Sequence, residues 1–141
     1  MLLHFKHLNK DAISPVKQYD NDACWDLFAS LDTMIKNYNT VPTGIAIDIP
    51  SGYCGMIMSR SGLASKEGVF VLNAPGIIDA GYGGEIKVVL GNLSKHTWEI
   101  ERGERIAQFM LVRLEEYSLS RNDSRQMHGK RGDNGFGSTG N

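Results

Sequence analysis

Four stretches of the chain carry residues whose types and spacing suit work on a phosphorylated ligand. In Ser59-Arg60-Ser61-Gly62-Leu63-Ala64 a guanidinium, two hydroxyls and a bare backbone amide stand together. Arginine offers a planar fork to phosphate oxygens, and serine and glycine add short donors without bulk. A helix beginning here would add its free N–H groups; the competing reading is a serine-capped turn with a surface arginine. In Asn73-Ala74-Pro75-Gly76-Ile77-Ile78-Asp79-Ala80-Gly81-Tyr82-Gly83-Gly84-Glu85 a Pro-Gly turn and further glycines let the backbone bend sharply or come close to a ligand. Asp79, between Ile78 and the glycines, is expected to be a partly solvated carboxylate suited to orienting a water molecule. A β-hairpin with Gly and Asp at its tip explains the same residues.

The third stretch, Gly103-Glu104-Arg105-Ile106-Ala107-Gln108, opens the strongest strand pattern. Gln108 falls where an apolar residue would continue the alternation, and a polar group in a core strand needs a partner, either a ligand or a structural hydrogen bond. The fourth, Arg131-Gly132-Asp133-Asn134-Gly135-Phe136-Gly137-Ser138-Thr139-Gly140, satisfies G-x-G-x-x-G in letter. It lacks the preceding strand and following helix that a dinucleotide site requires. Its physics survives: free amides to line phosphate oxygens, Phe136 to lie flat on a nucleobase, and Arg131 to reach a terminal phosphate. Arg131-Gly132-Asp133 as an adhesion tripeptide and Asn92-Leu93-Ser94 as a glycosylation site both need a secreted protein, which nothing else supports. There is no P-loop, no H-E-x-x-H and no Cys/His cluster, and His4, His7, His96 and His128 are scattered as surface residues would be. A divalent ion would therefore sit chiefly on the substrate's own oxygens.

The elements that must position these residues read as strands. Ile45, Ile47 and Ile49 share one face, as do Ile86, Val88 and Leu90, and Met110, Val112 and Leu114; period-2 alternation is the mark of a half-buried strand. Residues 53–58 and 69–72 are short apolar runs, and Trp98 and Ile100 alternate with Glu99 and Glu101. Only 61–66 and 31–37 offer short helices. Many short strands at about ten-residue spacing predict an all-β sandwich, barrel or jelly roll. From residue 118 onward almost nothing apolar remains, which predicts a 1–117 domain followed by a mobile 118–141 tail that orders only over a partner surface.

Composition excludes several classes. Hydrophobic residues at 41% and charged ones at 22% rule out wholesale disorder. With 15 basic against 16 acidic side chains, the net charge of -1 argues against nucleic acid or an anionic membrane as the main partner. No apolar run approaches a membrane span, and two cysteines are too few for a disulfide framework, so a reducing, cytoplasmic setting is expected, or a nuclear or organellar one.

Taken in order, the motifs resemble those of the trimeric dUTP pyrophosphatase (dUTPase) family. They are Ala23-Cys24-Trp25-Asp26-Leu27, Arg60-Ser61-Gly62-Leu63-Ala64, the 76–85 glycine stretch, Gly103-Glu104-Arg105-Ile106-Ala107-Gln108, and Arg131-Gly132 with Gly135-Phe136-Gly137-Ser138-Thr139-Gly140. The resemblance implies a jelly-roll (β-clip type) protomer with a flexible glycine-rich C-terminal arm, a homotrimer with active sites between subunits, and hydrolysis of dUTP to dUMP and pyrophosphate with Mg²⁺. Such an activity keeps uracil out of DNA and supplies dUMP for thymidylate synthesis. It further implies that Asp79 activates the water attacking the α-phosphorus, and that Arg60, Ser61, Gly62 and Gln108 hold the phosphates. Asn73, Gly76, Ile77, Ile78 and the backbone up to Lys87 would line a uracil slot. Tyr82 would pack where a 2′-hydroxyl would sit. From a neighbouring subunit, Phe136 would stack on uracil while Arg131, Gly137 and Ser138 meet phosphates. No side chain is expected to bind Mg²⁺ directly, with Asp26 structural or reaching the ion only through water. Gly81 and Gly83 stand where many members carry larger residues, Asn134 where Gly is usual, and Trp25 where a smaller residue precedes the aspartate. A dCTP deaminase of the same superfold is a rival, but it lacks the terminal Gly-Phe-Gly-Ser-Thr-Gly. A second is a dUTP sensor that regulates a protein partner, against which the intact Asp79 speaks.

Overall fold

The computed structural model describes residues 1–125; the glycine-rich segment with Arg131, Phe136, Gly137 and Ser138 lies outside the described residues. Eleven strands and one helix follow each other: β1 (Phe5–His7), β2 (Trp25–Phe28), β3 (Thr33–Ile35), β4 (Tyr38–Pro42), β5 (Ile45–Ile47), β6 (Tyr53–Met58), α1 (Ser61–Glu67), β7 (Val69–Val71), β8 (Gly76–Ile78), β9 (Lys87–Asn92), β10 (Trp98–Ile100) and β11 (Arg105–Arg113). They assemble as antiparallel sheets in the orders β2-β11-β6-β8 and β4-β9-β7, with the two-stranded ribbons β1-β5 and β10-β3. One core joins them. Leu27, Ile57, Ala107 and Phe109 of the first sheet pack in the same cluster as Val41, Val69, Val71, Val88 and Leu90 of the second. The chain is an all-β jelly roll, as its alternation predicts. No helix among the described residues is long and apolar enough to cross a membrane.

Ile86, Val88 and Leu90 are all buried, and so are Ile45, Ile47 and Ile49. The 31–37 segment is not the helix expected. Its β-branched Thr33 and Ile35 favour extended backbone, and β3 pairs with β10, setting Ile35 opposite Trp98. A second difference concerns β11. Ile106, Ala107 and Phe109 are buried, whereas Met110 and Val112 are half-buried and Leu114 is exposed. Pairing with β2 shifts between Arg105 and Ala107. The extra residue of this bulge puts two successive side chains inward and inverts the alternation beyond it. Gln108 is therefore not a polar residue in a core row; it stands opposite Asp26 on the outer face.

The tightest packing in the first sheet is between Gly55 and Phe109. A Cβ on Gly55 would come within 2.6 Å of the Phe109 ring, and that ring is 2% exposed and cannot swing aside. Gly55→Ala is expected to cost about 1–3 kcal/mol of stability through overpacking, visible as a lower denaturation midpoint; an unchanged midpoint would show that the ring has room to yield.

Candidate functional site

Strand β8 hydrogen-bonds to β6, with Gly76 opposite Ile57 and Ile78 opposite Gly55, and it ends just before Asp79. The chain then turns, the Tyr82 N–H donating to the Asp79 carbonyl at 3.2 Å, and enters β9 in the other sheet. The 79–86 segment is therefore no hairpin tip. It is a bridge across the seam between two sheets, because β8 and β9 pair with different partners. Under it lies a cavity of about 400 Å³ lined by Asn73, Gly76, Ile77, Ile78, Asp79, Tyr82, Glu85 and Lys87, with Ile57, Val71, Val88 and Val89 beneath. That volume is in the range of small-ligand sites, and an apolar lining beneath polar rim groups is their usual construction. Asp79 is exposed at this rim in the single chain.

Glu85, absent from the expected site residues, ties the bridge down. Its Oε1 accepts the Gly44 N–H at 2.8 Å and its other oxygen lies 3.6 Å from Lys87 Nζ. Ile86 donates to the Ile45 carbonyl at 2.9 Å and accepts from the buried Thr43 hydroxyl at 2.5 Å. An acidic residue two positions before a lysine at a strand start was the available signal, since both fall on one face.

A second group of residues gathers around Asp26, which is 7% exposed. Arg60 Nε donates to its Oδ1 and Arg105 to its Oδ2, both at 3.2 Å. Gln108 Nε2 approaches Oδ1 at 3.5 Å, the long limit of a hydrogen bond. Arg60 also donates to the Arg105 carbonyl at 3.0 Å, and Arg105 reaches Gln18 at 3.4 Å. One carboxylate thus orients two guanidiniums, and the forks it fixes are of the kind that bind anionic oxygens. Arg105 is the residue that sequence reasoning undervalued; the bulge beside it hides its facing. Asp26, Arg60, Arg105 and Gln108 line a cavity of about 360 Å³ with Gln18, Asp22, Ala23 and Cys24. Burial pushes the Cys24 thiol above its ordinary value, with Lys17 opposing and the carboxylates of Asp22 and Asp26 adding. It stays a neutral thiol at pH 7, a lining group and no nucleophile.

Helix α1 starts next to this group. Arg60 occupies its N-cap with no side-chain cap bond, and the Ser59 hydroxyl instead accepts the Val71 N–H at 2.9 Å. The serine-capped turn is thus not what forms. Gly62 lines a flanking cavity with Arg60 and Arg105, and Ser61 is exposed at the helix start. In the single chain the expected residues fall into two sets with no shared lining residue: Asn73 to Lys87 under the bridge, and Arg60, Gly62 and Gln108 around Asp26. Among the described residues no three His, Cys, Asp or Glu side chains cluster to hold a metal.

Fold and site define a jelly-roll protein with a small slot beneath a glycine-rich bridge and a separate surface bearing two arginines anchored by one carboxylate. Comparison gives that class a family. The dUTPase family model matches residues 10–140, and the chain belongs to this family. It is similar to a deoxyuridine 5'-triphosphate nucleotidohydrolase of Clostridium tetani, at 41% identity over 98% of this chain and 96% of that protein. A protein of the same description from a Mycobacterium species is 42% identical over 94% and 91%. Among solved structures, the Staphylococcus bacteriophage 80alpha dUTPase with dUpNHpp superposes with a TM-score of 0.86 at 29% identity, over 99% of this chain and 98% of that one.

Proposed function

We propose that this chain hydrolyses dUTP to dUMP and pyrophosphate by attack of water on the α-phosphorus. The observation that carries the reading is the shared lining of one cavity by Asp79, Tyr82 and the β8 residues Gly76, Ile77 and Ile78. Asp79 takes the proton of the attacking water from the rim. One carboxylate suffices, because phosphoryl transfer asks for positioning and charge neutralisation more than covalent help. The backbone of Gly76, Ile77 and Ile78, with Asn73, reads the uracil edge. A peptide wall this close leaves no room for a 5-methyl group, and cytosine would leave a buried amide unpaired. Tyr82 packs on the sugar and Lys87 borders the slot. Arg60, Ser61, Gly62 and Gln108 hold the phosphates, with Asp26 aiming the arginine.

Mg²⁺ fits this site as cargo of the substrate. Both Asp26 oxygens are engaged by guanidiniums, so its direct ligands would be phosphate oxygens, and the ion would supply charge neutralisation. Asp79 and Arg60 line separate cavities of one chain, an arrangement that supports a homotrimer in which the two surfaces are brought together between subunits. Arg131, Phe136, Gly137 and Ser138 would close such a site over uracil and phosphates, excluding water. The test is pyrophosphate release with Mg²⁺ from dUTP, dTTP, dCTP and UTP. Release from dUTP with very little from the others is expected, and equal turnover of dUTP and dTTP would overturn the peptide-wall account.

A further inference from the structure

We propose that Gly84 and Glu85 form a seat for the ring of Tyr82, which makes Gly84 a specificity-determining position for the sugar of the substrate. The inference rests on the dUTP reading above and names what holds its sugar-facing group in place.

The Tyr82 hydroxyl donates to the Glu85 carbonyl at 2.9 Å. To reach it, the ring crosses the bare α-carbon of Gly84. A Cβ there would meet the Tyr82 Oη at 2.7 Å, Cζ at 2.8 Å and Cε2 at 3.2 Å, closer than van der Waals contact allows, so only glycine leaves the ring where it lies. The other half of the seat does not move. Glu85 is bonded to Gly44 and faces Lys87, and the next residue is bonded to Thr43 and Ile45 in the buried corner. The remaining glycines of the bridge do not hold the ring, since a Cβ on Gly81 or Gly83 would meet nothing within 4 Å. Ring position is therefore set from the 84–85 side.

Tyr82 also lines a second cavity of about 300 Å³ with His4, Lys6, Asp48, Gly81 and Gly83, so the residue borders two spaces. A ring pushed off its seat by a Gly84 Cβ changes the shape of the slot that Tyr82 lines. Tyr82 is 47% exposed, so it yields to a new methyl group without disturbing the core. The backbone at Gly84, unlike that at Gly81 with φ +85°, is one that alanine adopts. Gly84→Ala should therefore fold and displace the ring, which is the condition for a clean test.

The experiment compares kcat/KM for dUTP and UTP in the wild type, Gly84→Ala and Gly83→Ala, with a thermal melt of each. In Gly84→Ala the UTP-to-dUTP ratio of kcat/KM is expected to rise by about tenfold or more, the scale of one misfitted group in a binding pocket. In Gly83→Ala the ratio should stay at the wild-type value. A Gly84→Ala protein that melts normally and selects dUTP as sharply as the wild type overturns the seat, as does an equal rise in both variants. A wild type that releases no pyrophosphate from dUTP overturns the functional reading itself, a distinguishable failure.

Discussion

Asp79→Asn is expected to lower kcat for dUTP by roughly 10²–10⁴-fold, the usual contribution of a positioned proton acceptor, while KM moves by less than about threefold. Asparagine has the shape of aspartate but cannot take a proton from water. The turn around residue 79 is closed by its backbone carbonyl, which receives the Tyr82 N–H, so the exchange leaves the bridge in place. The exposed side chain buries nothing whose loss would destabilise the fold. Steady-state pyrophosphate release, with a binding isotherm for a non-cleavable deoxyuridine triphosphate analogue, separates the two quantities. Wild-type kcat in this variant would remove Asp79 from the chemistry.

Asp26→Ala should also act on turnover more than on binding, here through the alignment of the phosphate-holding set. Two effects compete. Removing a carboxylate beside Arg60 and Arg105 strengthens the Coulomb attraction for a triphosphate, yet it frees both guanidiniums from their shared anchor. Orientation governs turnover, since a misplacement of about 1 Å can cost 10²-fold, whereas attraction governs binding. The expected result is a kcat about 10²-fold lower with KM nearly unchanged or reduced. The stability loss should be about 1–3 kcal/mol, toward the lower end because the Arg60 and Arg105 side chains are 27% and 40% exposed and can turn to solvent. Asp26→Asn, which keeps an acceptor for Arg60, should fall between. A KM that rises tenfold or more with kcat intact would show that Asp26 serves ligand capture and not alignment.

Much of this was legible in the residues. The alternation of Ile86, Val88 and Leu90 marks β9 and its buried face, and Gly-bounded apolar runs mark β6 and β7, because one-sided burial writes a period of two into the chain. What stayed hidden has a common origin in pairing. Nothing near Thr33 announces that β10, far along the chain, will claim it as a strand partner. The bulge at Ile106 is a feature of two strands, so the alternation of one cannot reveal it and points Gln108 inward. For the same reason the glycine bridge has the sequence of a hairpin, although β8 and β9 belong to different sheets. The site residues announced themselves by type, with Asp79 flanked by glycines and Arg60 among serines. Their grouping did not, because the contact of Asp26 with Arg60 and Arg105 spans 34 and 79 residues of sequence.

The bridge has one abutment on each sheet, with β8 held by β6 and β9 held by β4 and β7. Its geometry is thus a caliper reading of the gap between the two layers. Drift of the layers by a fraction of an ångström, through a trimmed valine at 71 or 88 or through gentle heating, would shift the acid and the tyrosine against each other well before any strand lets go. Catalytic output in such a protein reports on the spacing of its interior, and it fades ahead of the unfolding transition.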